Sequence, residues 1–263
     1  WRVHVHFYHG ITQETPPRIP SEPVLYTAET VLHTAECKCA GRRDSAMSDT
    51  AVWFDLDGTL LQHERSFDAF VRDALVASGV VNPPEQAHDV FAERIFGALE
   101  RCEDDPIRLA FEAVEAQLAI DVDPAEAADA YREIEVEGTA LADGARETID
   151  AAADRAAAVG VLSNGEGQLQ RAKLASHDLE DAFDAVVISN EVGARKPDPE
   201  IFAVAEERLA DGVAVSEHVF VADEYETDIG PAEQAGWSAI HVRNDEGPSG
   251  SVNRVGSLAT LLL

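Results

Sequence analysis

Asp55 and Asp57 flank Leu56 directly after the apolar run Ala51-Val52-Trp53-Phe54, and Gly58-Thr59-Leu60 follows. Side chains alternate along a strand with period two, so Asp-x-Asp at a strand end points both carboxylates to one side. In an α/β chain the C-terminal edge of the sheet is where ligands bind. Two close carboxylates repel unless a cation lies between them or one keeps its proton. Such oxygen donors suit a hard metal such as Mg²⁺, which favours phosphate-bearing partners. The bland alternative is a calcium-like loop or an acidic turn on a very acidic protein.

Three later clusters extend the pattern. Val159-Gly160-Val161-Leu162 reads as a short buried strand and ends in Ser163-Asn164-Gly165. Ala185-Val186-Val187-Ile188 is another, followed by Gly193-Ala194-Arg195-Lys196-Pro197-Asp198-Pro199. His218-Val219-Phe220-Val221-Ala222 is a third, ending in Asp223-Glu224-Tyr225-Glu226-Thr227-Asp228. In a parallel sheet these strand ends are neighbours, so the polar clusters are expected to meet in one cleft. Lys196 is one of only two lysines after Met47, against thirteen arginines, and Lys is a point-charge phosphate ligand. The other, Lys173, reads as a surface residue of the helix after Ser163. Ser163 by itself could equally be a helix N-cap, and Asn164 either a phosphate ligand or a turn residue.

The order Asp55-Leu56-Asp57-Gly58-Thr59, Ser163, Lys196, then Asp223 with Asp228 resembles the haloacid dehalogenase-like (HAD) superfamily over about Ala51 to Val242. The resemblance implies an α/β fold with a Rossmann-like parallel sheet flanked by helices. It implies Asp55 as nucleophile and Asp57 as general acid/base. Ser163 and Lys196 would hold a phosphoryl group, with Asn164 a further candidate for it and Gly58, Thr59 and Asp228 in support. Asp55, the Asp57 carbonyl and Asp223 would bind Mg²⁺. Ala222 departs from the glycine usual before the last acid, and Glu224 directly after Asp223 is also less usual. Dehalogenases of this superfamily lack the second acid, because halide leaves without a proton. An alkoxide leaving phosphorus needs one. The expectation is therefore a Mg²⁺-dependent phosphatase for a small phosphorylated metabolite, acting through an aspartyl-phosphate on Asp55. Nucleotides, sugar phosphates and phosphoglycolate are the candidate substrates. A phosphomutase of the β-phosphoglucomutase type and a non-catalytic interaction scaffold are the alternatives.

Helical patterning fills the interval between the first two motifs. Ser66 could cap a helix bearing Phe67, Phe70, Val71 and Leu75, ended by Gly79. A second helix spans about Glu85 to Arg101, with Phe91, Ile95 and Leu99 in register. A third starts with Asp105 as cap and Pro106 at its first position; a fourth starts at Asp123-Pro124-Ala125-Glu126 and reaches about Glu135. These predict a four-helix-bundle cap over 63–139, inserted into a core of 47–62 and 140–263. The aromatic stripe is assigned to the bundle core. His63, Glu64 and Arg65 on the linker into the bundle are candidates for gating or surface positions.

Residues 1–46 carry five basic and five acidic residues, four of nine His and two of three Cys; the remainder carries the whole net charge of −30. The expectation is that Met47 is the true start and that 1–46 is a disordered or non-native extension. The alternative is a real arm with His33, Cys37 and Cys39 as a metal site, although the paired spacings of zinc motifs are missing. So acidic a chain would repel nucleic acid and anionic membranes. No run of about 18 apolar residues occurs, so no membrane span is expected. A cytoplasmic monomer or homodimer of haloarchaeal type fits acidity combined with scarce lysine. Salt at molar strength shortens the Debye length to about 3 Å and screens the self-repulsion. Folding and activity are thus expected at molar KCl and loss of both in dilute buffer, read by circular dichroism across a KCl series. Equal stability at both extremes would contradict that reading.

Overall fold

A computed structural model describes residues 49–209 and 214–242; the arm 1–46, with its candidate metal site, lies outside these residues. Five parallel strands form the central sheet: β1 (Thr50–Phe54), β4 (Ala158–Ser163), β5 (Ala185–Ile188), β6 (Glu217–Ala222) and β7 (Ser238–His241). Their spatial order is β5-β4-β1-β6-β7, so the Asp-x-Asp strand is central. β1 pairs with β4 through Trp53 opposite Gly160, and with β6 through Trp53 opposite Phe220. All three strands expected from apolar runs around the later motifs are present, along with β7.

Alternation along β1 sends Val52 and Phe54 into one hydrophobic layer, with Val161, Val221 and Ile149. Ala51 and Trp53 enter the opposite layer, with Leu162, Phe202, Phe220 and Trp237. A sheet covered on both faces explains the nearly continuous apolar strands. Helices α5 (Ala145–Ala153), α6 (Gly167–Ser176) and α8 (Pro199–Leu209), with the short α7 (Ser189–Val192) and α9 (Gly230–Gln234), complete the α/β part.

Between Leu61 and Leu141 the chain leaves and returns through one antiparallel ribbon, β2 (Leu61–His63) with β3 (Thr139–Leu141). It carries α1 (Phe67–Ala77), α2 (Ala87–Glu100), α3 (Pro106–Leu118) and α4 (Pro124–Glu137), all within a residue or two of the sequence expectation. Gly79 follows α1 with φ +90°, a conformation favouring glycine. Asp105 and Asp123 cap α3 and α4 by accepting from the amides of Arg108 and Ala125. Ser66 holds the N-cap position of α1 without a side-chain bond to a helix amide. Phe70, Phe91, Phe111 and Tyr131 pack in one cluster that also takes in Leu169 of α6, so the aromatic stripe is core. Among the described residues no helix is long and apolar enough to cross a membrane.

Gly160 marks the tightest point of the sheet. A Cβ there would stand 2.5 Å from two ring carbons of Trp53. That ring stacks on Trp237 at 5.7 Å and donates to His218 Nδ1 at 3.1 Å, so it has little room to yield. Gly160→Ala is expected to destabilise the fold by about 1–3 kcal/mol through overpacking. A chemical denaturation midpoint checks this; an unchanged midpoint would mean that the indole moves aside.

Candidate active site

The four predicted clusters meet at the C-terminal edge of the sheet. Asp55 leaves β1 with its amide bonded to the Val221 carbonyl at 2.9 Å, which ties it to β6. Leu56–Leu61 then fold into a tight turn, with Leu60 N and Leu61 N both donating to the Leu56 carbonyl at 3.0 and 2.9 Å. Gly58 sits in this turn at φ +88°, and a Cβ on it would fall 2.4 Å from an Asp223 carboxylate oxygen. Only glycine permits both the conformation and the approach. Thr59 Oγ1 donates to the other Asp223 oxygen at 3.1 Å. Gly58 and Thr59 thus bring the β1 turn and the β6 end together.

Lys196 is 2% exposed, so its ammonium needs partners: Asp55 Oδ1 at 2.8 Å and Asp228 Oδ1 at 2.7 Å. Burial would lower its pKa, but Asp55 and then Asp228 outweigh that and raise it. Asn164 holds the lysine's backbone from both sides: its Nδ2 donates to the Lys196 carbonyl and its Oδ1 accepts from the Lys196 amide, each at 2.9 Å. Both amide atoms expected for phosphate or a turn are therefore engaged in placing Lys196. Ser163 Oγ is buried at the end of β4 and accepts from Gln170 Nε2 at 2.9 Å. It is not the N-cap of α6; Glu166 takes that place, accepting from the Leu169 amide at 2.6 Å.

Asp55, Asp223 and Asp228 place one carboxylate oxygen each within 4.8 Å of one another. Asp228 arrives there on a π-helical turn, Tyr225–Ile229, in which Ile229 N reaches back to the Glu224 carbonyl at 3.2 Å. Such turns occur often at functional sites. Glu224 itself is exposed and accepts from Thr227, so Asp228 and not Glu224 joins the group. Ala222 is buried and has no positive φ, which explains why it can stand where glycine is usual. Three neighbouring carboxylates, two of them on one ammonium, leave an excess of negative charge that a hard divalent cation would balance. The donor set fits Mg²⁺. Burial first, then Asp228 and Asp223, push the Asp55 carboxyl up to about 8 against the pull of Lys196. Burial likewise raises Asp223 to about 6, opposed by Thr59 and helped by Asp228 and Glu224.

The Asp57 carboxylate turns away from that group. Its Oδ2 accepts from Gln170 Nε2 at 2.7 Å and its Oδ1 from Lys173 Nζ at 2.9 Å. Lys173 is therefore no surface residue: it is 1% exposed and also meets Glu135 of α4 at 2.7 Å. Glu135 is in turn 3.2 Å from His63 Nε2 on β2. Burial would raise the Glu135 carboxyl, yet Lys173, His63 and Tyr131 bring it down to about 2. Asp57 and Glu135 similarly overcome burial and hold the Lys173 ammonium well above the ordinary lysine value. Sequence reasoning missed Lys173, Gln170 and Glu135. The one available signal was the scarcity of lysine, since a chain that avoids Lys is expected to spend it where it matters. Arg65, by contrast, pairs with Asp73 on the surface.

A haloacid dehalogenase-like hydrolase family model matches residues 50–236. The chain belongs to this family. Among characterised relatives, phosphoserine phosphatase of Thermus thermophilus is 40% identical over 113 residues, 41% of this chain and 45% of that protein. The chain thus spans less than half the length of that relative. A phosphorylated carbohydrates phosphatase of Thermotoga maritima is 27% identical over 201 residues, covering 74% of this chain and 87% of the relative. The magnesium-bound HAD hydrolase YfnB of Bacillus subtilis superposes with a TM-score of 0.60 at 22% identity, over 81% of this chain and 98% of that one. L-2-haloacid dehalogenase of Xanthobacter autotrophicus gives 0.55 at 23% identity over 82% and 88%. These structures share the HAD fold with this chain.

Both acidic shifts in the HAD site are upward, so at low pH Asp55 and Asp223 are neutral and a cation must displace their protons. Mg²⁺ affinity is expected to climb from pH about 6 to about 8 and level off above, with protons released on binding near neutrality. Without the cation the linkage runs the other way: the folded form keeps protons that the unfolded chain has lost above about 3.8, so stability falls as pH rises toward about 8. Calorimetry in buffers of different protonation enthalpy reads the proton count. Binding without proton release, at an affinity flat across this range, would refute the assignment.

Proposed function

We propose that this chain is a Mg²⁺-dependent phosphatase for a small phosphomonoester, with Asp55 as the nucleophile and an aspartyl-phosphate as intermediate. The observation that carries this reading is the second acid. Asp57 stands two residues beyond Asp55 in the same motif turn, with its carboxylate held in a fixed orientation by Gln170 and Lys173, and a carboxyl so placed can serve proton transfer. Halide departure would leave Asp57 without a task, whereas an alkoxide leaving phosphorus needs its proton. The names of the relatives, among them a phosphoserine phosphatase and a phosphorylated carbohydrates phosphatase, support the same choice.

In this reading Asp55, Asp223 and Asp228, with the Asp57 main-chain carbonyl, hold Mg²⁺. Bound there, the cation offsets the repulsion between an anionic nucleophile and an anionic substrate. Lys196 holds Asp55 Oδ1 and supplies positive charge beside the equatorial phosphoryl oxygens, where transition-state charge spreads. Ser163, at the end of the neighbouring strand, offers a hydroxyl to the same oxygens. Asp55 attacks phosphorus in line as the bond to the leaving oxygen breaks, and Asp57 gives that oxygen its proton. Asp57 then takes a proton from the water that attacks the intermediate, and phosphate leaves Asp55 as the free anion. Helices α1–α4 act as a cap that covers the cleft, excludes water and selects the substrate.

Phosphate release across a panel of phosphorylated amino acids, sugars, trioses and nucleotides, at high salt with Mg²⁺, identifies the substrate. Asp55→Asn is expected to abolish turnover while leaving substrate binding, because an amide is a very poor nucleophile. Asp57→Asn is expected to lose about 10²–10⁴-fold on alkyl phosphates and much less on p-nitrophenyl phosphate, whose leaving group needs little protonation. Normal turnover by Asp55→Asn would sink the mechanism.

A further inference from the structure

We propose that Lys173, held by Glu135, is the positioning residue that aims the Asp57 carboxylate at the leaving oxygen, and that it makes this aim depend on helix α4. The proposal rests on the phosphatase reading above and adds to it a residue outside the four motifs.

Asp57 lies in a turn, and its side chain is 29% exposed, so packing alone does not lock its rotamer. Two donors from one face of α6 do so instead. Gln170 reaches Oδ2 at 2.7 Å and Lys173 reaches Oδ1 at 2.9 Å. Gln170 is itself fixed through Ser163 Oγ at 2.9 Å, and Lys173 through Glu135 at 2.7 Å. A proton-transfer group must hold its position closely, since misplacement by 1 Å can cost about 10²-fold in rate.

A buried ammonium is an expensive way to stabilise a fold, and apolar side chains of similar size often do as well or better. Lys173 is 1% exposed, and its ammonium meets one residue of the motif turn and one residue of the inserted segment. Glu135 shares the ammonium with Asp57, at 2.7 Å against 2.9 Å, so the donor that Asp57 faces is fixed from its other side. Glu135 belongs to α4 and contacts His63 at the start of the insertion. Tyr131, one turn earlier on α4, is buried in the helical cluster and hydrogen-bonded to the same carboxylate. Lys173 therefore keeps both partners only while α4 is seated against α6. Displacing α4 removes Glu135 and releases the lysine that holds the acid.

The test compares wild type, Lys173→Met and the charge-balanced double variant Lys173→Met/Glu135→Leu. The double variant leaves no unpaired buried charge, so it carries the test if the single one folds poorly. Each is assayed with p-nitrophenyl phosphate and with the alkyl phosphomonoester that the metabolite panel identifies, at saturating Mg²⁺. Both variants are expected to lose about 10²-fold or more in kcat on the alkyl ester but less than about tenfold on p-nitrophenyl phosphate, the signature of a misaimed proton donor. A loss that is equal on the two esters, or no loss on either, overturns the positioning role. A wild-type protein that releases phosphate from no member of the panel and none from p-nitrophenyl phosphate would instead overturn the phosphatase reading itself.

Discussion

Negative charge crowded at one edge of the sheet is the constraint on which this architecture depends. Asp55, Asp57, Asp223 and Asp228 converge there, and Glu135 joins them from α4. After Met47 the chain has two lysines, and both are buried in this place. Each is shared between two carboxylates: Lys196 between Asp55 and Asp228, Lys173 between Asp57 and Glu135. Two acids per ammonium leave a net deficit of positive charge, which adds to the burial that chiefly raises Asp55 and Asp223. A protein that covers its surface with carboxylates and arginines has reserved its compact point charges for its interior.

Backbone features exist here largely to bring these groups together. Gly58 permits the turn to press against Asp223. The paired bonds of Asn164 fix the Lys196 peptide units, so that the lysine stem starts from a defined point. The π-helical turn carries Asp228, buried, to within 2.7 Å of the Lys196 ammonium. In each case a local departure from regular structure is stabilised by a contact to another strand end.

Much of this was legible in the sequence because it follows simple periods. The apolar runs before Asp55, Ser163 and Asp223 are strands, and Phe70, Phe91 and Phe111 fall on the apolar faces of amphipathic helices. The Asp-x-Asp pair reveals its placement through the period of two. What escaped has no period. β2 and β3 are three residues each, too short to alternate visibly. The buried state of Lys173 depends on Glu135, a residue from another helix, and only the folded chain brings the two together. The bonds of Asn164 to the Lys196 backbone have no sequence signal either, because a main-chain partner offers no side-chain signature.

The ribbon of β2 and β3 also has a bearing on ancestry. Because Leu61 pairs with Leu141 and His63 with Thr139, the inserted helices begin and end side by side, and the central sheet does not register what lies between. Segments joined at adjacent ends are readily exchanged. One thread limits that freedom here. A lineage that trades α1–α4 for another segment also discards Glu135, stranding Lys173 as a buried cation with half its partners. Exchanging the inserted helices therefore calls for a change at Lys173 as well, because a buried ammonium that loses one of its two carboxylates is costly.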